Sequence, residues 1–208
     1  MFTLIKREIQ DNVAYFIGAV ILSAILIALL IPAMYETIDF EIVFIGLSLP
    51  VVVFIIIGCA GMGVTQMYVD RTRRISAFVS TLPVTRGQIL LARIIAGILA
   101  ILMVLLPLTV TAVVFRRLFL PPIPIYPGLI FDISVVAFLS GFACYCLGLQ
   151  TGWTSSKITP TLGALLLTCV LVSLILVKGF GLHIKAILVL FIVASLIRTW
   201  RKFMSTAL

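Results

Sequence analysis

Apolar residues run through this chain in blocks of roughly twenty, each closed by a short polar break, and an apolar helix of that length crosses the ~30 Å hydrocarbon core of a bilayer at 1.5 Å per residue. The pattern predicts six spans: Val13–Ala33, Ile42–Thr65, Ile89–Phe115, Leu129–Gly152, Pro160–Val177 and Ile184–Trp200. Pro50 and Pro107 fall inside the second and third, so tilt or a kink is expected there. Ahead of the first span, Phe2, Ile5 and Ile9 share one helical face and Lys6, Arg7, Glu8 and Gln10 surround it, which predicts a short amphipathic helix at the membrane surface. The fold class expected is therefore an all-α integral membrane protein, one domain over residues 1–208, with an N-terminal interfacial helix and a cytoplasmic helix between spans two and three.

Composition agrees. With 63% hydrophobic and 11% charged residues, the 208-residue chain lacks the polar shell that a soluble domain of this length requires. Its mean hydropathy is +1.34. The net charge of +8 does not point to nucleic acid, because the basic residues are strung between apolar runs instead of gathered on one soluble face. Cys59, Cys144, Cys146 and Cys169 all lie within apolar stretches, and Cys144-Tyr-Cys146 lacks the spacing of a redox or zinc pair, so reduced structural thiols and no metal are expected. The opening MFTLIKREIQDN is too polar and too long for a cleavable leader, so the first span is expected to be retained.

Basic residues set the orientation. With the N-terminus inside, Lys6, Arg7, Arg71, Arg73, Arg74, Arg86, Arg93, Lys157, Arg198, Arg201 and Lys202 are cytoplasmic, and only Arg116, Arg117, Lys178 and Lys185 lie outside. Both termini are thus expected in the cytoplasm of a cell bounded by this inner, or plasma, membrane.

The long polar break, DRTRRISAFVSTLPVTRGQ over residues 70–88, becomes the major cytoplasmic loop. Ile75, Phe78, Val79 and Leu82 stand at i, i+3, i+4 and i+7, the apolar face of a short helix, with Arg74, Ser76, Ser80 and Thr81 opposite. Pro83 stops that helix, and Thr85-Arg-Gly-Gln88 fits a capping box that starts the third span. A helix of about eight residues is marginal alone in water, so something must cover its apolar face. Two coverings fit: lipid headgroups, with the arginines on phosphates, or a groove on a cytoplasmic partner.

Tyr68-Val-Asp-Arg71, Ile75-Ser-Ala-Phe78 and Ser80-Thr-Leu-Pro-Val-Thr-Arg-Gly-Gln-Ile89 together resemble the cytoplasmic loop of ABC-2-type transporter permeases, the membrane subunits of ABC transporters. In that family an acidic residue closing the second span precedes an amphipathic helix and a Leu-Pro-Val-Ser/Thr-Arg turn, and the position of Arg93 is often lysine. The dense match covers residues 68–93. What the resemblance implies is a division of labour: two permease subunits, identical or not, clamped by separate ATPase subunits that carry the ATP and Mg. It makes Asp70, Arg71, Arg73, Arg74, Ile75, Phe78, Val79, Leu82, Pro83 and Arg86 the coupling element. It also makes Phe2, Ile5, Lys6, Arg7 and Ile9 the interfacial helix beside the ATPase contact. The chain agrees on one necessary point, since it holds no Gly-x-x-x-x-Gly-Lys-Ser/Thr loop; Gly58-Cys-Ala-Gly-Met-Gly63 lacks the lysine. It departs from the family in its short outer turns, because Gly179-Phe-Gly181 leaves little room for a re-entrant element.

Other polar residues carry less. Asp132, beside the outer interface and near Arg116 and Arg117 in sequence, is expected to form a local ion pair. His183 is expected to be a solvated loop residue. Ser23, Ser48, Gln66, Thr109, Thr111, Ser134, Ser140, Gln150, Thr151 and Thr168 suit helix packing or the wall of a translocation path. A nearly uncharged wall implies an amphipathic or hydrophobic cargo, moved outward. An intramembrane enzyme is disfavoured, since no paired carboxylates, Cys/His dyad or metal cluster occurs in the spans and no catalytic residue is assigned. The remaining alternative is a substrate-binding or scaffold subunit without ATPase coupling.

Overall fold

The computed structural model describes residues 2–35, 56–68, 86–119, 129–152, 173 and 181–205. All the elements among them are helical: α1 (Phe2–Asp11), α2 (Val13–Tyr35), α3 (56–68), α4 (Arg86–Phe119), α5 (Leu129–Thr151) and α6 (Leu182–Ser205). Three stretches, Gly87–Val114, Phe131–Thr151 and Leu182–Met204, are long and apolar enough to cross a membrane, and Val13–Ala28 is a shorter apolar helix. The expected second span is represented by α3 alone. The expected fifth lies outside the described residues apart from Ser173.

Local sequence accounts for the helix boundaries. One residue, Asn12, separates α1 from α2: its backbone N–H and side-chain amide both donate to the Glu8 carbonyl, at 3.2 and 2.8 Å, while its own carbonyl accepts from the Tyr15 N–H at 2.9 Å. Asn12 thus closes one helix and opens the next. Helix α4 begins at Arg86, directly after Thr85, where the capping box places the start. It continues through Pro107 as a single helix, although proline removes the donor that the Met103 carbonyl would otherwise receive.

The expected spans reappear with small boundary shifts where they are described. The third is longer than its apolar run, because Arg116, Arg117 and Phe119 extend the helix past Phe115. The sixth begins at Leu182, so His183 is an exposed first-turn residue and not part of a loop.

Contacts order the bundle. Helix α5 packs between α4 and α6, α2 lies on α4, and α1 lies on the start of α4. The core is centred on α5, where residues 141–149 are all buried. Phe138, Phe142 and Tyr145 form a stacked ladder along it, with ring centroids 6.2 Å apart at each step. Outward faces stay apolar: Ile17, Val20, Ile21 and Ile25 on α2 are exposed opposite buried Phe16, Ser23 and Leu26. That is the reverse of a soluble bundle and the form expected of helices in a hydrocarbon solvent.

Close approach comes from missing side chains. A Cβ built on Gly63 falls 2.5 Å from the Tyr145 carbonyl oxygen, and one on Gly148 would strike the Ala60 carbonyl oxygen and lie 3.0 Å from Val64 N. Gly152, one turn beyond Gly148, faces Met67 and the Val64 carbonyl in the same way. Backbones of α3 and α5 therefore touch along a Gly148-x-x-x-Gly152 stripe.

The hydroxyls mostly bond within their own helices: Ser23 to the Val20 carbonyl, Thr109 to Leu106, Thr111 to Pro107, Ser140 to Ala137 and Thr151 to Leu147. This back-bonding satisfies a polar group without a neighbour. The amides reach further, Gln150 donating to the Ser195 carbonyl of α6 at 3.1 Å and Gln66 meeting Tyr145 of α5.

Asp132 does form an ion pair, and the partner described is one that its neighbours in sequence did not suggest. Lys185 at the start of α6 holds it at 2.5 Å, because α5 and α6 run side by side from the same end of the bundle and bring their first turns together. Both side chains are about a quarter exposed. Asp132→Asn is accordingly expected to lower stability by no more than about 1 kcal/mol; a thermal melt of the purified variant checks it.

Candidate functional site

At the opposite end from Asp132, four described helices, α1, α3, α4 and α5, meet at Arg93. Its backbone lies seven residues into α4, ~10 Å from the helix start at 1.5 Å per residue. Its side chain is only 4% exposed. A guanidinium cannot be left alone there, because desolvating an uncompensated charge costs several kcal/mol. Glu8 of α1 supplies the counter-charge: its Oε1 lies 3.3 Å from Arg93 Nε, and its side chain is 17% exposed. Arg93 Nη1 also donates to Met67 Sδ in the last turn of α3 at 3.5 Å. One side chain thus joins α1, α3 and α4.

Behind it lies a second, neutral knot. The Tyr145 hydroxyl is 2.7 Å from Gln66 Oε1 and 2.9 Å from the Arg93 carbonyl oxygen. A phenol has one proton and cannot donate fully to both. Gln66 Nε2 is buried without an acceptor. Turning the Gln66 amide over resolves the conflict at the phenol: the amide then donates to the tyrosine oxygen, which donates in turn to the Arg93 carbonyl. The Tyr145 ring occupies the space left by Gly97, where a Cβ would overlap it.

The same end gathers the remaining contacts. The Tyr15 hydroxyl of α2 and Thr65 Oγ1 of α3 are 2.8 Å apart. The Trp200 ring of α6 lies over Gly87, whose added Cβ would come within 2.8 Å of it. Arg198, Arg201 and Lys202 surround Trp200 and are exposed, as are Lys6 and Arg7 on α1. Arg7 faces Asp11 at 3.8 Å across one exposed helical turn. Apart from Lys185, the basic side chains described collect at the Arg93 end, and tryptophan with arginine and lysine is the usual dressing of a helix end at a membrane surface.

These contacts locate the sequence-derived candidates. Asp70, Arg71, Arg73, Arg74, Ile75, Phe78, Val79, Leu82 and Pro83 lie outside the described residues, as do the side chains of Phe2, Ile5 and Arg86. What is described is their frame. Residues 69–85 join the described stretch of α3, up to Tyr68, to the start of α4 at Arg86, and Arg93 with Met67 ties those two helices together. On α1, Ile9 is half-buried against the core and Lys6 and Arg7 face outward, as the amphipathic pattern requires.

Sequence reasoning placed Glu8 on the polar face and Arg93 among the cytoplasmic charges; the pairing of the two was not foreseen. The available signal was a single arginine inside an apolar run, which requires an acidic partner, and the first eleven residues contain only Glu8 and Asp11. Tyr145, Gly97 and Gly148 carried no such signal. Among the described residues no group of three or more His, Cys, Asp or Glu side chains stands ready to hold a metal ion. Cys59, Cys144 and Cys146 are in no disulfide bond. Comparison with family models, with curated proteins and with solved structures returned no match.

Proposed function

We propose that this chain is the membrane subunit of an ATP-driven transporter, a permease of the ABC-2 type that exports an amphipathic or hydrophobic substrate. In this reading it sits in the inner membrane with both termini cytoplasmic, pairs with a second permease subunit, and draws its power from separate subunits that bind ATP and Mg. The observation that supports it is the Arg93 brace. A push delivered to residues 69–85 enters the bundle through the ends of α3 and α4, and Arg93 links those ends to each other and to α1 through Met67 and Glu8. Three helices then move as one body, which is the mechanical requirement for a loop that converts an external stroke into rearrangement of spans. A passive scaffold has no need to couple its loop to a buried ion pair.

The test is co-purification with candidate cytoplasmic ATPases, in parallel with Phe78→Asp. The expected result is capture by the parent chain and at least a tenfold loss in the variant. Capture that survives the buried charge rejects the docking face. Lipid covering alone predicts no capture by either.

A further inference from the structure

A cavity of about 250 Å³ lies beside the Tyr145 knot, walled by α2, α3, α4 and the Tyr145 ring. Its lining includes Gly18 and Leu22 of α2, Gly58, Cys59 and Met62 of α3, and Val104 of α4. Two hydroxyls reach its edge and both are engaged, Tyr15 with Thr65 and Tyr145 with Gln66 and the Arg93 carbonyl. A buried water needs two to four polar partners, so little here would hold one. An apolar protein cavity of about 150 Å³ stays dry and takes up benzene. This one is larger and similarly lined.

Its mouth is made by absent side chains. Gly18 and Gly58 are both exposed, and a Cβ added to either meets nothing within 4 Å. The opening therefore lies between α2 and α3. Ile17, Ile21 and Ile57 flank it and are 55%, 53% and 45% exposed, so its rim is as apolar as its interior. The Tyr15–Thr65 hydrogen bond bridges α2 and α3 on the side of the Arg93 end. What reaches a mouth of this kind, on a bundle whose α4, α5 and α6 are long and apolar enough to cross a membrane, is hydrocarbon.

We infer that the cavity is a binding site for one hydrocarbon chain of a bilayer lipid, which enters sideways between Gly18 and Gly58 and lies against Leu22, Cys59 and Met62. The site rests on membrane embedding and is independent of any ATPase. Its two glycines act as an open door: leucine at either position fills the entrance without striking backbone.

The full chain is reconstituted in phosphatidylcholine vesicles doped with a phospholipid bearing a diazirine at mid-chain, irradiated, and its adducts mapped by mass spectrometry. Adducts on Leu22, Cys59 and Met62 are expected in at least fivefold excess over the outward Val20 and Ile25. Gly18→Leu and Gly58→Leu, each on a different helix and each checked by gel filtration, are expected to cut the cavity adducts tenfold and leave the outward ones unchanged. Adducts spread evenly over the outward faces would establish embedding and overturn the site, as would a cavity excess that neither leucine reduces. Protection of Cys59 from alkylation that follows protein concentration and not lipid content would assign the cavity to a second copy and overturn it equally. Failure of the ATPase capture leaves each of these outcomes unaltered.

Discussion

Arg93→Met is expected to cost about 3 kcal/mol of stability, the lower end of what removing one member of a buried ion pair costs. The methionine fills much of the arginine's apolar volume, so packing changes little. Glu8 loses the guanidinium 3.3 Å away, and its 17% exposure lets it turn in part toward water, which sets the lower figure. The double variant Glu8→Gln/Arg93→Met is expected to recover at least half of the loss, because neither partner is then charged. Thermal or denaturant unfolding of the four proteins in a double-mutant cycle measures this. Equal losses in the single and double variants would place the cost in packing at Met67 and not in the charge pair. Arg93→Lys tests geometry: lysine keeps the charge but offers no planar fork to share between Glu8 and Met67, so it is expected to fall between the parent chain and Arg93→Met.

Gly148→Leu is expected to abolish the native contact between α3 and α5. Even the first carbon of the new side chain would strike the Ala60 carbonyl oxygen and come within 3.1 Å of Gly63 Cα, so the neighbours that must yield are backbone atoms. Overpacking against side chains that can rotate costs about 1–3 kcal/mol. Backbone of a packed helix cannot rotate aside, and the helices must separate. Gly148→Ala, with the smallest possible increment, is expected to cost about 3 kcal/mol, and Gly148→Leu to eliminate the monodisperse folded species in gel filtration. Gly18→Leu serves as the matched control, because the same substitution there meets open space. If Gly148→Leu elutes and melts as the parent does, the close crossing of α3 and α5 is wrong.

Much of the architecture was legible one-dimensionally. Block length and composition predict α2, α4, α5 and α6 within a few residues, since a helix in hydrocarbon must be apolar for a fixed length and must end where polar side chains reach water. The capping pattern Thr85-Arg-Gly-Gln88 places a helix start where α4 begins, at Arg86. Periodicity in residues 2–11 was equally readable, and α1 is the helix it calls for.

The site was less readable because its partners are distant. Glu8 and Arg93 are 85 positions apart, and Tyr145 meets Gln66 across 79. Asp132 illustrates the difference: neighbours in sequence suggested Arg116 or Arg117, and Lys185, 53 positions further on, is a partner that only the packing of α5 on α6 reveals. Apolar spans make such errors natural, since a uniformly apolar helix does not announce which of its faces meets protein and which meets lipid.

By itself, the order of residues determined that this protein is a set of apolar helices, where they begin, and that its positive charges collect between them, because helix formation and transfer into hydrocarbon depend on local composition. Only the tertiary structure decided that Glu8 neutralises Arg93, that Gly148 lets two backbones meet, and that Gly18 and Gly58 leave a door into a dry cavity. Each of those is a relation between surfaces, and the geometry of contact exists only after the helices have packed.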